Sequence, residues 1–69
     1  MRLSTRNQLT GKVTSITVGE AMAVVQVQLD GGESITSSIT KEAAEELQLT
    51  QGSPVTVLIK STDVALAVD

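Results

Sequence analysis

The chain has 69 residues, a formal charge of −3, and no cysteine, histidine or aromatic residue. A length near the lower limit for independent folding, with a core restricted to Val, Ile, Leu, Ala and Met, makes a thin interior. Disulfides and thiolate or imidazole metal sites are excluded, which leaves oligomerisation as the expected support. The negative balance argues against broad attraction to nucleic acid or anionic membranes, and no run is long and apolar enough to span a bilayer. Met1-Arg2-Leu3-Ser4-Thr5-Arg6 has no apolar stretch behind its charges, so no secretory signal is expected and the cytoplasm is the predicted location.

In chain order, Ser4-Thr5-Arg6-Asn7-Gln8-Leu9 comes first, rich in hydrogen-bond donors. Lys12 to Val18 follows as a first strand. Its alternation slips by one residue around Thr14-Ser15, which predicts a β-bulge. Gly19-Glu20 marks a turn. In the second strand Val25, Val27 and Leu29 alternate with Gln26 and Gln28, giving one buried face and one wetter face. Asp30-Gly31-Gly32-Glu33 then signals a tight hairpin. Ser34 to Ile39 forms the third strand, with Ile35 and Ile39 sharing a face.

Thr40 reads as the N-cap of a short helix, Lys41 to Leu47, whose apolar face is Ala43, Ala44 and Leu47. Gln51-Gly52-Ser53-Pro54 ends the helical region. A fourth strand runs from Val55 to Lys60, and Asp63 to Val68 reads as a fifth. The class is all-β with one short helix. The order β-β-β-α-β-β over one domain, residues 1–69, predicts a five-stranded OB-fold barrel; an SH3-like barrel would not normally place a full helix there. In the last segment Val64, Leu66 and Val68 alternate with Ala65 and Ala67, so both faces are apolar. Leu58 also interrupts the polar face of strand four. A small barrel has one inside, so the second apolar face predicts a subunit interface.

Catalysis has little to stand on. No serine lies in a nucleophile-elbow context, and the carboxylates fall mostly in turns or on the exposed helix face. Asp30-Gly31-Gly32 lacks the further oxygen ligands of a cation loop, and Gly31-Gly32 is too short for a phosphate loop. Single-strand nucleic-acid sites on OB barrels use aromatic platforms and a basic groove; this chain has no aromatic residue and five basic ones. No nucleic-acid partner, membrane partner, cofactor or enzymatic activity is expected.

The remaining chemistry lies in Ser4-Thr5-Arg6 and in Lys60-Ser61-Thr62. These are donors, two of them cationic, with free backbone N–H groups expected where strands begin or end. Brought together, they would form a donor pocket with almost no acceptors, suited to a small oxyanion. Taken singly, each has a plainer explanation: a solvated terminus for Ser4 and Arg6, a strand end for Lys60 and Ser61, a helix cap for Thr40, a turn residue bonding its own backbone for Asn7.

Ser4-Thr5-Arg6-Asn7-Gln8-Leu9, Lys60-Ser61-Thr62-Asp63-Val64 and Ser38-Ile39-Thr40 together resemble the molbindins of the Mop family, small molybdate- and tungstate-binding proteins. The resemblance spans nearly the whole chain. It implies an oxyanion site of Ser4, Thr5, Arg6, Asn7, Lys60 and Ser61, with Thr40 supplied by a neighbouring subunit. It also implies a homo-hexamer, a trimer of dimers, with sites between subunits and a metal held only as molybdate or tungstate. Thr5 departs from the family pattern, which has Ala or Gly there. The expected function is storage or buffering of the anion. The second expectation is a regulatory or structural module of a molybdate-responsive system.

Overall fold

The structure, a computed structural model, describes residues 2–69. Four strands, β1 (Asn7–Val18), β2 (Met22–Leu29), β3 (Ser34–Thr40) and β4 (Pro54–Ile59), form one antiparallel sheet in the order β3-β2-β1-β4. Among the described residues one α-helix, α1 (Lys41–Glu46), lies between β3 and β4. The mostly-β class with its one helix is as the element order predicted.

β1 is the spine. It pairs with β4 along Asn7–Lys12 and with β2 from Gly11 to Val18, so only Gly11 and Lys12 are paired on both sides. The predicted bulge is present: Val13 faces Val27 and Ser15 faces Gln26, leaving Thr14 unopposed. Thr14 donates through its hydroxyl to the Gln26 carbonyl at 3.2 Å. The extra residue bends the strand and helps curl the sheet into a half-barrel. β1 begins five residues before the predicted start, because pairing with β4 rather than alternation organises Asn7–Gly11.

The core follows the pattern of β2. Val25 and Val27 are buried with Val13, and Ile16, Leu29, Ile39, Leu49, Val55 and Val57 pack around them. The Asp30–Gly32 hairpin forms, with Gly32 at φ +102°, a region that favours glycine. The Asp30 carboxylate accepts from the Thr10 hydroxyl, which ties the hairpin to β1 and agrees with a turn rather than a cation loop.

α1 ends one residue before the expected Leu47, which is its C-cap and 66% exposed; only Ala44 of the helix is buried. Leu49 N–H bonds the Ala44 carbonyl at 3.2 Å and Gln48 N–H bonds that of Glu45 at 3.0 Å. This is a Schellman close with Gln48 at φ 53°, where glycine is the usual residue. Gln48→Gly is expected to stabilise the chain by about 1 kcal/mol, since a left-handed Cβ costs roughly 1–2 kcal/mol and glycine's entropy returns part of it. A rise of about 5 °C in the thermal midpoint, read by circular dichroism, checks this.

The fifth strand differs from expectation. After Ile59 the chain makes a 3₁₀ turn, Ser61–Asp63, and leaves it extended at Val64 (φ −93°, ψ 116°). Val64 to Asp69 joins no ladder among the described residues, and Leu66 and Val68 are 93% and 97% exposed. Val64 has extended backbone angles, but the segment has no ladder partner among the described residues. The radius of gyration, 12.8 Å, exceeds the roughly 11 Å expected of a compact chain this long, as a protruding arm requires.

Candidate oxyanion site

The β1–β4 ladder runs in unbroken register from Lys12 opposite Pro54 to Asn7 opposite Ile59. Arg6 and Lys60 adjoin that last pair in the chain; Ser4 and Thr5 precede the one, and Ser61 and Thr62, in a 3₁₀ turn, follow the other. Runs at opposite ends of the sequence therefore share one end of one sheet. Two side chains fasten this arrangement. Asn7 Nδ2 donates to the Ile59 carbonyl at 3.1 Å, across 52 residues of sequence, and Gln8 Nε2 donates to the Thr5 carbonyl at 3.0 Å. Asn7 thus bonds across the ladder rather than to its own backbone. One of its two amide N–H donors is used in joining β1 to the end of β4, a role that residue type alone did not reveal.

Beyond Lys60, Asp63 N–H bonds the Lys60 carbonyl at 2.9 Å and Val64 N–H bonds that of Ser61 at 3.3 Å. Such a turn uses its carbonyls and leaves its first N–H groups, here those of Ser61 and Thr62, outside the pattern. Among the described residues, no turn or loop bond takes up these two, nor the N–H groups of Ser4, Thr5 and Arg6. Ser4, Arg6, Lys60 and Ser61 are exposed and Thr5 is half-buried. In one chain this end is an open shelf of donors, with Asp63 the one acid in the two runs.

Thr40 is not on that shelf. It pairs with Met22, beyond the Val18–Ala23 pair, at the opposite end of the sheet. The twelve residues of β1 separate the two ends, on the order of 35 Å of strand. Thr40 does cap α1 as expected: its hydroxyl accepts from Ala43 N–H at 3.0 Å. The cap uses an oxygen lone pair, so the hydroxyl proton stays available to donate elsewhere. Around it lies an open recess lined by Glu20, Ala21, Lys41, Glu42 and Glu45, largely acidic surroundings for an anion donor. Thr40 can meet the Arg6–Lys60 shelf only across a boundary between chains.

Among the described residues, no group of three or more His, Cys, Asp or Glu could hold a metal ion, and no helix is long and apolar enough to cross a membrane.

A curled antiparallel sheet with a single helix after β3, and paired termini carrying cationic and hydroxyl donors, defines a small OB-type binding domain. A family model described as the TOBE domain matches residues 3–66, and the chain belongs to that family. It is 44% identical over 66 residues to molybdenum-pterin-binding protein 1 of Clostridium pasteurianum, covering 96% of this chain and 97% of that one. Among solved structures, MopII from Clostridium pasteurianum in an apo form superposes with a TM-score of 0.91 at 40% identity, over 97% of this chain and 100% of that one. ModG, described as a cytoplasmic molybdate-binding protein and solved with molybdate bound, superposes with a TM-score of 0.96 at 46% identity; all of this chain matches 49% of that one. The Mop likeness read from the sequence is thereby established, and the family is one of binding proteins rather than enzymes.

Proposed function

We propose that the protein binds molybdate, and tungstate with it, as a cytoplasmic store or buffer, at sites between the subunits of a homo-oligomer. The observation that carries this reading is the β1–β4 register, which sets Arg6 and Lys60 one step beyond the Asn7–Ile59 pair, with Ser4, Thr5, Ser61 and Thr62 alongside. Molybdate is a tetrahedral dianion that, near neutral pH, has acceptor oxygens and no proton. A cage of N–H, hydroxyl and cationic donors complements it at every oxygen. Hydrogen phosphate would turn its own O–H toward a donor and lose a bond, at a cost of roughly 1–3 kcal/mol if buried. Sulfate matches in charge and differs in size, so the radius of the closed pocket must exclude it.

The open shelf of a single chain cannot desolvate an anion, and the chain's formal −3 gives an unfavourable distant field. Both points call for closure by a neighbouring subunit, with Thr40 as the donor brought from the partner and a hexamer, built as a trimer of dimers, as the assembly. Short charge-assisted bonds in a partly desolvated pocket then outweigh the distant repulsion. Equilibrium dialysis against molybdate and sulfate, with native mass spectrometry for subunit and anion counts, tests the reading. Saturable uptake of molybdate over sulfate by an oligomer is expected; equal, weak uptake of both would overturn it.

A further inference from the structure

A site for an anion must present donors and keep its carbonyl oxygens turned away, and the backbone beside the donor shelf does so at four places. The Ile59 carbonyl accepts from Asn7 Nδ2 at 3.1 Å, and the Thr5 carbonyl from Gln8 Nε2 at 3.0 Å. The Lys60 and Ser61 carbonyls accept from Asp63 and Val64 N–H, at 2.9 Å and 3.3 Å. The last two bonds belong to the 3₁₀ turn, and Asn7 and Ile59 are a ladder pair. Thr5 has no such support, because it lies before β1 begins. Among the described residues, Gln8 supplies the one hydrogen bond on Ser4, Thr5 or Arg6. Gln8 itself is anchored opposite Leu58 in the β1–β4 ladder, a fixed post from which its amide reaches back three residues.

We infer that Gln8 is a positioning residue that sets anion specificity, by holding the Thr5–Arg6 peptide with its oxygen toward the sheet and its N–H toward the anion. The inference rests on the molybdate reading above and deepens it. In a planar trans peptide the C=O and N–H point in opposite directions, so fixing the Thr5 oxygen also fixes the Arg6 N–H. A carbonyl tied back to Gln8, inside the ladder, sends that N–H outward to the shelf. Rotated by half a turn, the same peptide would offer the anion an acceptor in place of a donor. For molybdate, which has no proton, the rotation exchanges an attraction for a repulsion. For hydrogen phosphate it does the reverse, since the phosphate O–H gains the acceptor that a donor-only cage denies it. One peptide's orientation thus acts on the choice between two anions, and Gln8 acts through it rather than by touching the ion.

Titration calorimetry with molybdate and with hydrogen phosphate, at one pH above neutral, gives an affinity ratio for each chain. Gln8→Met keeps the length of the side chain and removes its donor, and should lower the molybdate-to-phosphate ratio about tenfold or more. Gln8→Lys returns a donor to the Thr5 oxygen and should restore the ratio; its added charge acts on both dianions and largely cancels. Gln8 is exposed, so both variants should fold. In amide NMR spectra, molybdate should shift the Arg6 N–H resonance in the wild-type and Gln8→Lys chains and leave it nearly still in Gln8→Met. The Val25 and Val27 amides should match in all three. An unchanged ratio in Gln8→Met, or equal weakening of both anions with the Arg6 response retained, would overturn the inference and leave the molybdate reading standing. A wild-type chain with no preference for molybdate would overturn that reading, and the inference with it.

Discussion

Lys60→Met is expected to weaken molybdate binding about a hundredfold while leaving the thermal midpoint within a few degrees. Hydrogen bonds to charged groups contribute about 1.5–3 kcal/mol, and a dianion that loses one of two cationic donors also loses local charge compensation. At about 1.4 kcal/mol per factor of ten, that range reaches roughly a hundredfold. Stability should barely change, because Lys60 is exposed and surface substitutions usually stay within about 0.5 kcal/mol. The methionine keeps the stem and removes the ammonium, so the loss reports charge and donation rather than packing. Arg6→Met should act in the same direction, and the double variant should cost less than the sum, since both donors act on one ion. Titration calorimetry with molybdate, beside a thermal melt, makes the measurement. Unchanged affinity in both single variants would remove the shelf from the mechanism.

Much of the fold was legible because period-two alternation reports faces. The slip at Thr14-Ser15 gave the bulge, Val25 and Val27 gave the core, and Thr40 gave the helix cap. Alternation does not report partners. It marked Val64–Val68 as a strand with two apolar faces but could not say that no edge of the same chain receives it. The extended start of β1 was hidden for a related reason: Asn7–Gly11 is ordered by β4, a pairing across about fifty residues that local pattern cannot see. Leu47 was placed on the apolar face of the helix, whereas the Schellman close at Gln48 ends the helix before it, and Leu47 lines an open cleft.

The site was legible as residue types and not as geometry. Donor content singled out Ser4, Thr5, Arg6, Lys60 and Ser61, and the ladder brings their runs to one end of the sheet. Thr40 has the right chemistry and lies at the wrong end of its own chain. An oxyanion cage needing both ends of the sheet cannot be built in one protomer. The small buried core and the exposed Leu66 and Val68 are what a unit completed by other copies, as proposed, would show when described alone.

Gly11→Ala should cost about 3 kcal/mol and lower the thermal midpoint by about 15 °C. Gly11 is buried and paired on both sides, to Leu29 of β2 and Val55 of β4. A Cβ there would run into the Gln28 carbonyl oxygen and stand 3.0 Å from both Leu29 Cα and Val27 Cγ1. Two of those three atoms are backbone of a central strand, and the third belongs to a core valine, so no flexible side chain can give way. Relief requires β1 to lift from β2 at the point where it passes between its two partners, which would disturb the Val13–Val27 core and the Asn7–Ile59 end together. Gly19→Ala is the matched control: its nearest neighbour is the Met22 carbonyl at 3.3 Å, in an exposed turn, and a small shift accommodates it. Against a total stability of about 5 kcal/mol for a small domain, the Gly11 variant should bind molybdate only where assembly compensates, at high protein concentration. Chemical and thermal melts over a range of concentrations check this. Equal midpoints for the Gly11 and Gly19 variants would show that β1 is not pinned at this crossing, and that something other than the ladder holds Arg6 beside Lys60.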